Sequence, residues 1–438
     1  MPHEPEENAP VDRSTGPARP RAGGAGGSGR GSGTARRTGR AALLVVSVLA
    51  VTLAGCGQDG GPREAGSGGR PDATAAPPPA PSPAPGSGGA DQGTTGRGAA
   101  TGSSAVQDSL LVTDFGSDTV TFVDPAPRNP EQRNAAAGRP ESVVAGTAPY
   151  GVALGDDGTA WVATAEGVAA VDTVTRERTA LIAYTTDTGP VTHGEYRGGG
   201  MGIALSPDGR HVYVGVNVPG ADGVLEIIDT RSRRVVGSVP VGRRPFDVDV
   251  SSDGRQVYAT GHDSFDVTVI DTADRQSRRI EVAPYGTEGG LGSWLKPHYT
   301  AVRPSDGALL LPFEGERLAV VDPDTGRVRV ERMTADTHQH GTAITDDGVL
   351  YVVGTGPIDP AEDHGPSLTI REPDGGERVI PLDGAHEDVV VSADGRTAYV
   401  SGGFTREGHW DGLSVVDITT GEVRRVPVGT RPLGMAVL

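Results

Sequence analysis

From Ser109 onward the chain alternates short apolar runs with polar turns, and the alternation repeats. Each unit reads as four strands. A short apolar strand ends in an Asp-Gly turn, a second strand of the "VYV" kind follows, then a third of the "VxVID" kind, and a fourth ends near "VPVG". Alternation with a period of two, bounded by Gly, Asp and Pro, is the signature of a strand, and Asp-Gly between two such runs is the strongest short hairpin signal. The turns fall at Asp157-Gly158, Asp208-Gly209, Asp253-Gly254, Asp306-Gly307, Asp347-Gly348 and Asp394-Gly395, at spacings of 51, 45, 53, 41 and 47 residues. Intervals of this size match one four-stranded propeller blade each.

The third strands read "TVTFVD" (119–124), "GVAAVDT" (167–173), "VLEIIDT" (224–230), "VTVIDT" (267–272), "LAVVDPDTG" (318–326), "LTIREPDGG" (368–376) and "LSVVDITTG" (413–421), which makes seven. The first has no inner strand before it, whereas "RPLGMAVL" (431–438) repeats the inner-strand motif and has no blade after it. Pairing the two ends would close the ring and remove its open sheet edges. The expected fold class is therefore all-β, a seven-bladed β-propeller closed by the C-terminal strand. The segments "PDGRHVYVGVN…VLEIIDTRSRRVVGSVPVG" (207–242) and "SDGRQVYATGHDSFDVTVIDT" (252–272) resemble the YVTN-repeat β-propellers over about 109–438. That resemblance implies the fold and leaves function open, because propellers carry many unrelated activities.

The N-terminal quarter has a different pattern. Arg36, Arg37 and Arg40 precede the apolar run "AALLVVSVLAVTLA" (41–54), which is too short to span a bilayer and suits a signal-peptide core. The sequence Leu53-Ala54-Gly55-Cys56 resembles the lipobox of bacterial lipoproteins. By that likeness residues 1–55 are a signal peptide, Cys56 is lipidated, and the mature chain is anchored to the extracytoplasmic face of the cell membrane. Residues 56–105 are rich in Gly, Pro and Ser without apolar periodicity, as a disordered tether would be, which leaves 106–438 for the propeller.

Charge and cysteine content narrow the field. The formal net charge is −18, which argues against nucleic-acid binding, since that needs basic stripes to neutralise phosphates. Cys56 is the only cysteine, so an intramolecular disulfide is excluded. Walker loops, nucleophile elbows and haem-attachment motifs are missing from the sequence. The Gly-rich "RGGGMGIAL" (197–205) leads into a strand, not a helix, and reads as a blade-to-blade connection. The expected state is a monomer whose partners are the membrane and either a metal ion or a cell-envelope protein.

A propeller gathers its long loops and the starts of its inner strands at one end of the channel. Here the long connections 184–199, 284–297, 354–366 and 402–411 all fall at that mouth. The inner strands can be aligned on their last apolar residues, Leu154, Leu205, Val250, Val302, Ile344, Val391 and Val437. Counting back four gives a ring of Tyr150, Met201, Phe246, His298, His340, Glu387 and Leu433. This treats "RPSDG" (303–307) as one residue longer than the other turns, and aligning on Asp-Gly instead would turn His298 elsewhere. Two imidazoles and a carboxylate from consecutive blades suit zinc, or copper or iron with open positions. His338 shares a strand face with His340, and His386 adjoins Glu387. Glu288, Trp294, Glu362, Asp363, His364 and His409 lie in the loops at the same end, while His193, His211 and His262 read as ordinary loop, turn and hairpin residues.

The motifs "KPH" (296–298), "HQHG" (338–341) and "AHE" (385–387) resemble inner-strand motifs of bacterial extracytoplasmic zinc metallochaperone propellers. That resemblance implies His298, His340, His386 and Glu387 as metal-contacting positions. Two other functions stay open. One is a metal-independent platform for a protein or cell-wall partner. The other is a metal-dependent, lactonase-like hydrolase using Glu387 and Asn217.

Overall fold

The computed structural model describes residues 109–125, 141–194, 196–282, 296–313, 317–334, 339–354, 365–403 and 408–438. The signal peptide, Cys56 and the tether lie outside the described residues, as do Glu288, Trp294, His338, Glu362, Asp363 and His364. Among the described residues every regular element is a strand, and the strands form seven antiparallel sheets of four. The ring is closed as expected. Blade 1 joins the C-terminal strand Pro432–Val437 to Leu110–Asp114, followed outward by Thr119–Val123 and Glu141–Val144. Leu110 pairs with Val437 and Val112 with Met435. The remaining blades follow in sequence, each built from consecutive strands: blade 2 over 152–183, blade 3 over 199–240, blade 4 over 245–281, blade 5 over 301–332, blade 6 over 339–381 and blade 7 over 389–427.

Alternation explains the packing. The second and third strands of a blade are buried on both faces, because each blade lies between two others, while outer strands such as Arg327–Arg332 are largely exposed, and the apolar clusters sit in the gaps. Trp161 and Val168 of blade 2 meet Ile203 and Val214 of blade 3. Tyr258 and Val269 of blade 4 meet Leu309 and Leu311 of blade 5. The closing gap is filled in the same way, by Tyr399, Leu413 and Val415 of blade 7 against Leu110, Val112 and Met435 of blade 1. Burying several such side chains at about 1.5–3 kcal/mol each makes each gap a substantial share of stability.

The turns opposite the mouth have a repeated chemistry. In Ser206–Arg210 the Asp208 carboxylate accepts from the Ser206 hydroxyl and the Arg210 N–H, and Asp253 and Asp394 act alike in blades 4 and 7. The following glycine takes a left-handed φ, 67° at Gly209 and 68° at Gly395, which a side chain would strain. In blade 5 the turn is one residue longer, with the Gly307 N–H bonding to Arg303 O, and Val302 pairs with Leu309 as Val250 pairs with Val257. His298 therefore stands four residues before Val302, in step with Phe246 before Val250.

Neighbouring inner strands touch just inside the mouth. The Gly151 N–H bonds to Met201 O, that of Gly341 to Glu387 O, and that of Gly434 to Tyr150 O. A Cβ at Gly202 would lie 2.4 Å from Asp247 Cα, and one at Gly341 2.5 Å from Asp388 Cα, so these positions admit no side chain. The close approach narrows the bore and brings the residue before each glycine toward the axis.

Candidate functional site at the channel mouth

The seven ring positions divide the mouth into an apolar and a polar half. Tyr150, Met201, Phe246 and Leu433 pack together with Phe115 and Ala148. The Tyr150 and Phe246 rings meet edge to face at 5.5 Å across two blades. Tyr299, one residue after His298, crosses the bore. Its ring lies 5.4 Å from that of Phe246, and its hydroxyl donates to Glu387 Oε1 at 3.2 Å. Burial, with the neighbouring Tyr150, Glu387, Asp388 and Asp247 adding to it, pushes the Tyr299 phenol well above its usual range, so it stays a donor.

The polar half is a continuous wall from four consecutive blades: His262 from the turn after the strand Gln256–Gly261, His298, His340 and Glu387. All are buried, at 7%, 3%, 5% and 0% exposure. His262 Nε2 lies 3.1 Å from His298 Nε2. The other nitrogen, His262 Nδ1, is 2.9 Å from Asp263 Oδ1. Asp263 in turn meets Lys296 Nζ at 3.0 Å and the Arg244 guanidinium at 2.8 Å.

Burial depresses His262 to about 3, overriding the opposing pull of Asp263. Burial would raise the Asp263 carboxyl, but the His262 hydrogen bond and the Arg244 and Lys296 charges together hold it well below the usual carboxylate range. At neutral pH the pair is thus an ionised Asp263 accepting Nδ1–H from a neutral His262. An imidazole fixed in that tautomer presents a bare Nε2, so the facing His298 nitrogen is the donor.

His340 stacks on His298, with ring centroids 4.0 Å apart and planes 21° from parallel, and its Nδ1 lies 3.1 Å from Glu387 Oε2. Ring nitrogens bind metals along lone pairs in the ring plane. Two stacked rings point those lone pairs along nearly parallel planes, so His298 and His340 do not converge on one point as they stand. Accordingly, no group of three or more His, Cys, Asp or Glu side chains among the described residues is arranged to hold a single ion. The expected trio is brought together, but the two nitrogens that face each other belong to His262 and His298.

The other expected residues fall elsewhere. His386 and Glu387 lie just before the strand Val389–Val391, and His386 turns away from the mouth. Its Nδ1 donates to Gly384 O and its Nε2 lies 2.7 Å from Ser414 Oγ, with the ring edge-on to Trp410. Both nitrogens are thus used inside blade 7, and burial lowers its pKa to about 4. His409 is exposed, 3.4 Å from Arg431 Nε. His193 forms a 2.9 Å contact with Asp118.

The sequence reading missed His262 and Asp263. The available signal was the His-Asp pair placed where a second strand ends, since that end of the hairpin opens onto the mouth. It also missed Asp247, Asp249 and Asp388, which lie deeper along the inner strands. Asp247 accepts the Thr300 N–H of blade 5 at 2.8 Å and so ties two inner strands together. Burial raises Asp247 to about 6 and pushes Asp249 and Asp388 well above their usual range, and repulsion from Asp247 adds to the shift at both.

Solved structures share this architecture. Matches include a hydrazine synthase of Kuenenia stuttgartiensis, at 19% identity and a TM-score of 0.52 over 65% of this chain and 88% of that one. The periplasmic gluconolactonase PpgL of Pseudomonas aeruginosa matches at 16% identity and 0.52, over 76% of this chain and 99% of its own. A protein of unknown function from Desulfotomaculum acetoxidans matches at 11% identity and 0.53, over 75% and 98%. The chain is a seven-bladed β-propeller. Identities this low carry the fold alone. No family model matches the chain, and neither does any curated protein.

Proposed function

We propose that this protein is a lipid-anchored, extracytoplasmic propeller that binds a transition-metal ion, zinc or copper, at the channel mouth. One observation carries the reading: His262 Nε2 and His298 Nε2 face each other at 3.1 Å in a buried wall. Two imidazole nitrogens bound at ~2.0–2.1 Å to one tetrahedral ion sit about 3.4 Å apart, so this spacing fits a shared ion with little movement. The Asp263 carboxylate on the far nitrogen of His262 is the usual outer support of a ligating histidine. His340 and Glu387 are the next donors, and one of them must turn out of its present contact to complete the set. The lipobox ending in Cys56 and the tether support the membrane anchor. Zinc titration of the purified protein against a competing chelator dye tests the site. Stoichiometric binding that H262A/H298A retains undiminished would sink the proposal.

A hydrolase is the second reading. It is favoured by the Asp263–His262 pair, which has the form of an oriented general base, and by the fold shared with a gluconolactonase. It requires turnover on a panel of lactones that falls sharply in E387Q. A platform for a cell-envelope protein requires neither metal nor turnover.

A further inference from the structure

Beside the mouth, between blades 3 and 4, lies a cavity of about 130 Å³ lined by Tyr196, Asn217, Gly220, Arg243, Arg244 and Asp263. We infer that this cavity is a binding site for a single carboxylate group. Its charge balance runs against that of the whole chain, which is −18. Arg244 and Lys296 divide one carboxylate, Asp263, which already accepts the His262 N–H. Arg243 and Arg279 share Asp222, at 3.8 and 2.8 Å, and Arg279 lies 4.0 Å from Asp266. Of the charged residues that line the recess, Arg243 and Arg244 are cationic and Asp263 alone is anionic, and an excess of positive charge attracts an anion.

The arginine is also held ready. Arg244 takes a left-handed φ of 50°, at a turn position where blade 3 has Gly199 at 99°. The guanidinium lies 3.7 Å above the Tyr196 ring, and its Nη2 meets Asp263 at 2.8 Å in the cavity lining. A planar fork packed on an aromatic ring is the usual receiver of a carboxylate, bound through two parallel N–H···O bonds. The volume limits the ligand to a small acid such as acetate or to the end of an aspartate or glutamate side chain.

The Tyr196 ring reports on occupancy. In protein carrying ¹³C-labelled tyrosine, with the Tyr196 resonance assigned by Y196F, acetate should shift that resonance saturably and isosteric, neutral acetamide should not. R244Q should weaken the acetate response about tenfold or more, as loss of a buried charged partner does. R243Q, whose side chain is about half exposed and so leaves the fold alone, should weaken it to a smaller degree. A parallel titration with the blocked tripeptide Gly-Glu-Gly and its Gln counterpart separates the sources. Preference for the Glu peptide over acetate points to a partner's acidic side chain, and preference for acetate points to a free acid. Equal responses to acetate and acetamide, or an acetate response unchanged in both variants, would overturn the inference.

Discussion

Asp247 offers a direct test of the physics inside the bore. Its carboxyl accepts the Thr300 N–H, yet burial raises it to about 6. An unfolded chain holds the same group near ~3.9, so the folded state binds its proton the more tightly. The resulting stabilisation is fully present below about pH 4, is lost as pH rises toward 6, and leaves a constant penalty above that. At ~1.36 kcal/mol per unit the shift corresponds to about 3 kcal/mol, an upper bound because the bore admits some water to the carboxyl. D247N removes the charge and keeps an acceptor for Thr300, but its amide NH2 then faces the Val248 N–H that Asp247 Oδ1 accepts, a cost that does not depend on pH. Its stability relative to the parent should therefore rise by about 2 kcal/mol between pH 4.5 and pH 8. Comparing variant with parent cancels the buried rings of His262 and His386, whose depressed values of about 3 and 4 cost both proteins stability below about pH 6.5. Urea unfolding midpoints at pH 8, 6 and 4.5 give the difference. A difference between variant and parent that is independent of pH, or that falls as pH rises, would refute the reasoning.

Three further outcomes follow from the packing. D263N should weaken zinc binding by about 10–100-fold while leaving the fold intact, because it removes the support of His262 and not a ligand; the dye-competition assay measures it. E226A should cost about 2–3 kcal/mol, since Glu226 Oε1 is the acceptor for the backbone and hydroxyl groups of both Thr185 and Thr186 at the start of the 184–199 connection, and faster proteolysis there should accompany it. Removing residues 432–438 strips the buried Leu433 and Met435 and opens the edge of Leu110–Asp114, a loss of at least about 3–6 kcal/mol that should appear as aggregation or a much lower melting temperature.

The fold was legible because its rules are local. Asp-Gly turns, period-two alternation and the orphan strand at 431–438 each fixed one part of the ring, and counting back from the last apolar residue named Tyr150, Met201, Phe246 and Leu433, whose side chains pack together. The polar half was harder, because it depends on reach across space. His262 arrives from a hairpin between second and third strands, which an alignment of inner strands does not cover. His386 and Glu387 are adjacent in sequence, yet only Glu387 reaches the mouth, while His386 is held by Gly384 and Ser414. Tyr299 spans the bore only because close contacts at Gly151, Gly341 and Gly434 make the bore narrow. Asp247 looks like any polar strand residue until Thr300 of the next blade is known to face it.

The central claim is that His262 and His298 share one ion. Crystals of the protein grown with zinc, measured across the zinc absorption edge, test it most directly. The account predicts an anomalous peak about 2.0–2.1 Å from both His262 Nε2 and His298 Nε2, with His340 or Glu387 turned toward it. A protein that takes up no zinc, or a peak held only by surface carboxylates with the two imidazoles still facing each other, would contradict it.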